Sequence, residues 1–350
     1  MIVGIDVESG ERPFHELVEA ALLSADRIDD ITVVLIGNQK NIEKKFPDIN
    51  SNNKIQIVNS NEIIYMDESP VSSVRTKKNS TVVTGIKLIK DGSLDAFFSP
   101  GNTGATVAAS ILYLNTIAKI KKPALSTSFP GNGSNETLII DIGANPESTE
   151  EGLCNNAILG MAYYSMIWEK DLPTVGLLNM GSEYGKGSHQ IKKAYEKLES
   201  IPTFLGNIEG YNLFNGSVDV VVCDGFMGNS IIKMAESMTG FFYKILKSEF
   251  REPTVRSHKK GTTAVKNALI GTLESLGAFE LKKNNIIQKL YPRFYGGAPL
   301  LGVEGLVLVG HGNCSGSDLI NAIELANFLH GKDYKNEMRK NIDRFVELRS

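Results

Sequence analysis

Four times in this chain an apolar run leads straight into a turn rich in glycine and asparagine: Ser99-Pro-Gly-Asn-Thr-Gly-Ala105, Asp141-Ile-Gly-Ala-Asn145, Asp224-Gly-Phe-Met-Gly-Asn229 and Gly310-His-Gly-Asn313. Glycine lets the backbone approach a ligand closely, and a helix that follows presents unpaired N–H groups and the positive end of its dipole. In an open α/β sheet such turns fall at the carboxyl ends of the strands, where ligands bind. Together they favour one crevice that holds a phosphate or a carboxylate. Any one of them alone is better explained by chain reversal.

Around these turns, strand-like runs at Ile2–Asp6, Ile31–Gly37, Leu94–Ser99, Thr137–Asp141, Thr174–Leu178, Val218–Cys223 and Leu306–Gly310 alternate with helical periodicity. The helical stretches are Phe14–Ala25, Thr103–Ala118, Leu153–Trp168 and Gly187–Leu198. Such alternation predicts an α/β fold of βαβ units, Rossmann-like, with a largely parallel sheet and helices on both faces. The 350 residues suit a single large α/β domain, 1–350. After Asn229 the rhythm breaks: Ser230–Arg251 and Thr262–Leu276 read as two long helices, joined by a polar turn whose Pro253 and Gly261 suit a helix end and restart. Residues 230–285 are therefore predicted to form a helical hairpin projecting from the sheet.

Composition removes several function classes. The chain is 42% hydrophobic and 22% charged, ordinary values for a soluble protein. A formal net charge of -3 argues against a nucleic-acid partner. No long apolar span or signal-peptide pattern occurs, so a cytoplasmic protein is expected. The three cysteines, Cys154, Cys223 and Cys314, contain no CxxC and suggest neither a disulfide framework nor a zinc site. No strand runs into the G-x-G-x-x-G of dinucleotide enzymes, and neither a metal nor an organic cofactor is expected.

The order of the turns resembles the bacterial phosphate acyltransferases of phospholipid synthesis. The matching stretches, over about residues 75 to 315, are Ser99–Ala105, Asp141–Asn145, Leu177-Leu-Asn-Met-Gly-Ser-Glu183 with Lys186-Gly187, Phe204–Gly210, Asp219–Asn229, and Tyr295–Gly302 with His311-Gly312. The resemblance implies transfer of a fatty acyl group from acyl carrier protein to inorganic phosphate, a fold related to isopropylmalate dehydrogenase, a homodimer, and transient contact with the membrane. Two places depart from the family. Asp6-Val-Glu-Ser-Gly-Glu11 stands where the family has Asp-Ala-Met-Gly-Gly-Asp, which puts a bulky Glu8 in the turn, and Lys122-Pro123 replaces Arg-Pro.

The chemistry of such a transfer narrows the candidates. Phosphate is already anionic and a thiolate leaves readily, so the site must chiefly position phosphate beside the donor and stabilise an oxyanion. Lys186 in Gly181–Ser188 is the best cation for that task, although the stretch lacks the spacing of a P-loop. Asn102, Asn145 and Asn229 can cap helices or donate to ligand, with Thr103, Gly104 and Gly228 beside them. Asp141 and Asp224 can cap the next helix or orient Lys186 or a ligand group, and orientation is favoured for Asp224, since an unpaired carboxylate would repel phosphate. His311 can protonate the departing thiolate or bind phosphate, or serve only its turn. Cys223, on a Val-Val-Val-Cys strand, reads as core.

A basic stretch, Arg75, Lys77 and Lys78, is either solvated or a rim for phosphate or for the carrier's acidic surface. Lys244, Lys247, Arg251, Arg256, Lys259 and Lys260 accompany Phe241, Phe242, Tyr243 and Phe250 on the hairpin, a mixture suited to anionic lipid or an acidic partner. A coenzyme A-dependent phosphotransacylase and a non-catalytic binding relative remain open alternatives.

Overall fold

The computed structural model describes residues 1–117, 119–131, 136–249 and 296–349. In chain order the strands are β1 (Ile2–Asp6), β2 (Thr32–Gly37), β3 (Ile55–Asn59), β4 (Ala96–Ser99), β5 (Ala124–Pro130), β6 (Glu136–Ile140), β7 (Val175–Leu178), β8 (Phe204–Ile208), β9 (Val220–Val222), β10 (Ala298–Leu301) and β11 (Leu306–Val309). The helices are α1 (Phe14–Arg27), α2 (Gln39–Lys45), α3 (Pro70–Thr76), α4 (Thr81–Lys90), α5 (Thr103–Tyr113), α6 (Glu150–Trp168), α7 (His189–Leu198), α8 (Asn212–Asn215), α9 (Gly225–Glu249), α10 (Gly316–Gly331) and α11 (Tyr334–Arg349).

The strands form one sheet in the order β3-β2-β1-β4-β11-β10-β5-β6-β9-β7-β8. Successive residues of a strand face opposite sides, and in β2 both sides are apolar. Val33 and Leu35 join a core with Leu17, Val18 and Ala21 of α1 and with Leu319 and Ile323 of α10. On the other side Val34 and Ile36 pack in a second core with Val82, Val83 and Ile86 of α4 and Ala105 of α5. Helices therefore cover both faces, as the apolar runs predict. In α6 nearly every residue from Leu153 to Met166 is buried, because α7 and α11 pack over its outer side.

Two strands change what the sheet does. β10 is antiparallel to both β11 and β5, and β5 is antiparallel to β6. All other pairings are parallel. Three successive reversals make β6, β9, β7 and β8 run opposite to β4 and β11. The carboxyl ends of the two parallel blocks thus point in opposite strand directions. The expected single row of turns is corrected to two groups, one after β1, β4 and β11 and the other after β6, β9 and β7.

The chain divides into two units, Met1–Asn229 with Phe294–Ser350, and Ser230–Arg293. Of the second, the described part is the continuation of α9 to Glu249. The predicted second helix, Thr262–Leu276, and Arg251, Arg256, Lys259 and Lys260 lie outside the described residues, as do the side chains of Phe242, Tyr243, Lys244, Lys247 and Phe250.

Candidate active site

Asp141 follows the last residue of β6 and is fully buried. Its Oδ1 accepts from the N–H groups of Gly143 (3.0 Å) and Ala144 (2.7 Å), and its Oδ2 from the Asn145 N–H (2.9 Å) and Asn145 Nδ2 (2.7 Å). Burial pushes this carboxyl above its ordinary value, and the four donors oppose that shift. The consequence is a correction. The N–H groups expected to bind a substrate anion already bind the carboxylate of their own turn. Asn145 is likewise spent internally, since its Nδ2 also donates to the Pro123 carbonyl at 2.8 Å.

The start of α9 rests on this turn. Gly225 N–H donates to the Asn145 carbonyl at 2.8 Å. Asp224 Oδ1 accepts from the Met227 N–H at 2.8 Å, which makes Asp224 the cap of α9. Among the described residues no ion pair links it to Lys186, and the contact its carboxylate makes here is the cap. Gly228 approaches so closely that a β-carbon there would lie 1.9 Å from the Asp141 carbonyl oxygen. Only glycine fits. Gly228→Ala is expected to cost about 1–3 kcal/mol by forcing the two turns apart, checked by the urea midpoint. Asn229 is exposed and lies against Gly143, with its Cβ 3.7 Å from where a Gly143 β-carbon would be. Cys223 is buried core, and burial pushes its thiol well above the usual range.

The other group of turns is stitched by side chains. Asp6, fully buried, accepts through Oδ1 from the N–H groups of Glu8 (3.2 Å) and Ser9 (3.1 Å) and through Oδ2 from Ser99 Oγ (2.7 Å). Ser9 Oγ meets Thr81 Oγ1 at 2.7 Å. Glu11 N–H donates to the Gly312 carbonyl and Gly310 N–H to the Ser99 carbonyl, each at 2.8 Å. Glu8 does not fill this turn, because its Oε1 accepts from the Asn38 N–H at the start of α2 (2.8 Å). His311 is exposed, and its Nδ1 accepts from the Asn313 N–H at 3.2 Å, which leaves Nε2 as the nitrogen that carries hydrogen in the neutral ring.

Asn102 is buried and fully occupied. Its Oδ1 accepts from the Ala105 N–H at 3.0 Å, and its Nδ2 faces the carbonyls of Tyr65, Met66 and Glu68 at 3.1–3.3 Å. It caps α5 and holds the 65–68 segment rather than offering its amide to a ligand. The cap reaches the third N–H of the helix. Thr103 and Gly104, the first two, donate to no acceptor among the described residues, so this end of α5 keeps anion-binding capacity. Of the basic stretch before it, Lys77 is committed: its Nζ donates to the Ile63 carbonyl (2.7 Å) and Glu68 Oε1 (2.5 Å).

Lys186 lies in the turn after β7, the strand beside β9. Its side chain is exposed and forms no ion pair among the described residues. The backbone around it is held firmly. Lys186 N–H donates to the Glu183 carbonyl (3.1 Å), and Asn179 Nδ2 donates to the Lys186 carbonyl (3.1 Å). Gly187 has φ +88, and a β-carbon there would lie 2.7 Å from Asn179 Oδ1. The structure thus gathers Asp141, Asn145, Asp224, Gly228 and Asn229, with Lys186 in the loop that follows β7, the strand beside β9. Asn102, Thr103, Gly104 and His311 belong to the other group. Sequence reasoning missed Ser9, Thr81, Asn179 and Asn207; a lone asparagine in the apolar Phe204-Leu-Gly-Asn-Ile run was the available signal for the last. Among the described residues no three His, Cys, Asp or Glu side chains gather as metal ligands.

Comparison with known proteins shows the family of the chain. A family model described as "Fatty acid synthesis protein" matches residues 1–336. Phosphate acyltransferase of Halothermothrix orenii is 36% identical over 330 residues, covering 93% of this chain and 94% of the relative. That of Brachyspira hyodysenteriae is 37% identical over 338 residues, covering 95% and 94%. Among solved structures, a phosphotransacetylase from Streptococcus pyogenes matches with a TM-score of 0.58 at 15% identity over 98% of this chain and 94% of its own. EutD phosphotransacetylase from Staphylococcus aureus matches with a TM-score of 0.54 at 16% identity over 93% and 94%. At these identities the structural likeness is one of α/β fold. The sequence matches run almost end to end, and the chain belongs to the phosphate acyltransferase family of fatty acid synthesis proteins.

Proposed function

We propose that this acyltransferase moves a fatty acyl group from acyl carrier protein to inorganic phosphate and releases acyl phosphate for phospholipid synthesis. The observation that carries the reading is Lys186: an exposed ammonium without an ion-pair partner among the described residues, on a glycine-rich loop whose backbone is fixed. In the reaction a phosphate oxygen attacks the thioester carbonyl, a C–O bond forms, the C–S bond breaks, and the proton of hydrogen phosphate passes to the departing thiolate. Lys186 holds phosphate as a point charge. A homodimer in the cytoplasm, with transient contact to anionic lipid, belongs to the same reading.

The test is phosphate dependence. Purified protein given an acyl carrier protein thioester is expected to release thiol only when phosphate is added, and to do so in the presence of a chelator. Equal thiol release without phosphate identifies a thioesterase and removes the proposal. The fold is shared with phosphotransacetylases, so the acyl coenzyme A thioester of the same chain length is run alongside. A higher kcat/KM on coenzyme A overturns the donor assignment.

A further inference from the structure

The Lys186 loop is gripped by a residue that the reaction does not touch. Asn207 lies in β8, opposite Leu177 of β7, and is 5% exposed. Its Nδ2 donates to the Glu183 carbonyl at 2.9 Å, the same carbonyl that accepts the Lys186 N–H. Asn179, at the end of β7, donates to the Lys186 carbonyl and accepts the Met180 N–H at 2.8 Å. Outside this clamp, Tyr184 packs edge-on against Tyr195 of α7, with ring centroids 4.9 Å apart.

Asn207 Oδ1 is buried and has no hydrogen-bond partner among the described residues. An unpartnered buried acceptor is destabilising, and an apolar side chain of similar size at this place removes that cost. The Glu183 carbonyl needs no second donor for its own sake, because the Lys186 N–H already satisfies it. Stability therefore does not account for the amide.

We propose that Asn207 is a positioning residue: acting through the Glu183 carbonyl, with Asn179 as its partner, it fixes the Lys186 backbone so that the ammonium meets phosphate in one place. This rests on the reading of Lys186 as the phosphate-holding cation. Displacement of a binding group by about 1 Å can cost up to about 10²-fold in rate, so one lost contact of two has a measurable effect.

Asn207→Leu, Lys186→Ala and the double variant are compared, with inorganic phosphate varied at saturating acyl carrier protein thioester and melting curves alongside. Asn207→Leu is expected to lower kcat/KM for phosphate about tenfold, to leave KM for the thioester unchanged, and to melt at or above the parental temperature. In the Lys186→Ala background the same substitution is expected to change the rate less than about twofold, since the group it positions is gone. Parental phosphate dependence in Asn207→Leu overturns the proposal, as does a tenfold loss that persists without Lys186. Parental rates in Lys186→Ala alone mark failure of the cation reading, which takes this inference with it. If Asn207→Leu does not fold, Asn179→Ala, at a half-buried loop position, carries the same comparison and the same expected outcomes.

Discussion

Lys186→Ala is expected to lower the rate with respect to phosphate by on the order of 10²-fold or more, the usual cost of removing one preorganised electrostatic contact. Its melting temperature should barely move. The side chain is exposed and pairs with no acid among the described residues, so its removal breaks no structural contact. Lys186→Arg should recover part of the loss, because the charge returns while the planar guanidinium places it elsewhere. Steady-state rates over a range of phosphate concentrations check both variants. An alanine variant with parental rates excludes Lys186 from the site.

The largest expected effect on stability is at Asp141. Alanine there removes the acceptor of four hydrogen bonds and strands the N–H groups of Gly143, Ala144 and Asn145 in a turn packed beneath α9. A buried group left unpaired costs about 1–3 kcal/mol, and for these half-buried groups at the lower end of that range the sum is a loss of about 3 kcal/mol, a large share of the net stability of a folded chain. Asp141→Asn keeps the shape but turns an amide NH2 toward donors, and should lie between alanine and the parent. Urea denaturation reads the series. A parental midpoint for Asp141→Ala contradicts the account of this turn.

The long apolar strands were legible because a strand buried on both faces is apolar throughout. Ile2–Asp6 is predicted and observed with the same bounds, and Leu306–Val309 within one residue. The strands that escaped are less apolar or interrupted. β5 reads Ala-Leu-Ser-Thr-Ser-Phe-Pro, β10 holds Pro299 among four residues, β8 carries Gly206, and β3 alternates on a half-exposed edge. Missing β5 and β10 hid the reversal of direction, and with it the separation of the glycine turns into two groups.

At the site, residue type showed which turns were special but not where their N–H groups point. Asp141 illustrates the limit: a carboxylate ahead of Gly143 and Asn145 reads equally as a ligand for substrate and as the hub of its own turn. The tendency of aspartate to bond its backbone two residues on was the signal for the second. Asn102 follows the same pattern, since its amide is spent on carbonyls more than thirty residues away in sequence, beyond any local rule. Lys186 stood out only through its place in the family motif, because by residue type a lysine between Gly185 and Gly187, three residues after Glu183, reads as a solvated side chain.

The most direct measurement of the central claim follows the phosphate itself. The protein is incubated with radiolabelled inorganic phosphate and an acyl carrier protein thioester, and hydroxylamine-sensitive labelled acyl phosphate is quantified against free thiol. The account expects one labelled acyl phosphate for every thiol released at early times, with both lost in parallel in Lys186→Ala. Thiol release with the label remaining entirely in inorganic phosphate would contradict it.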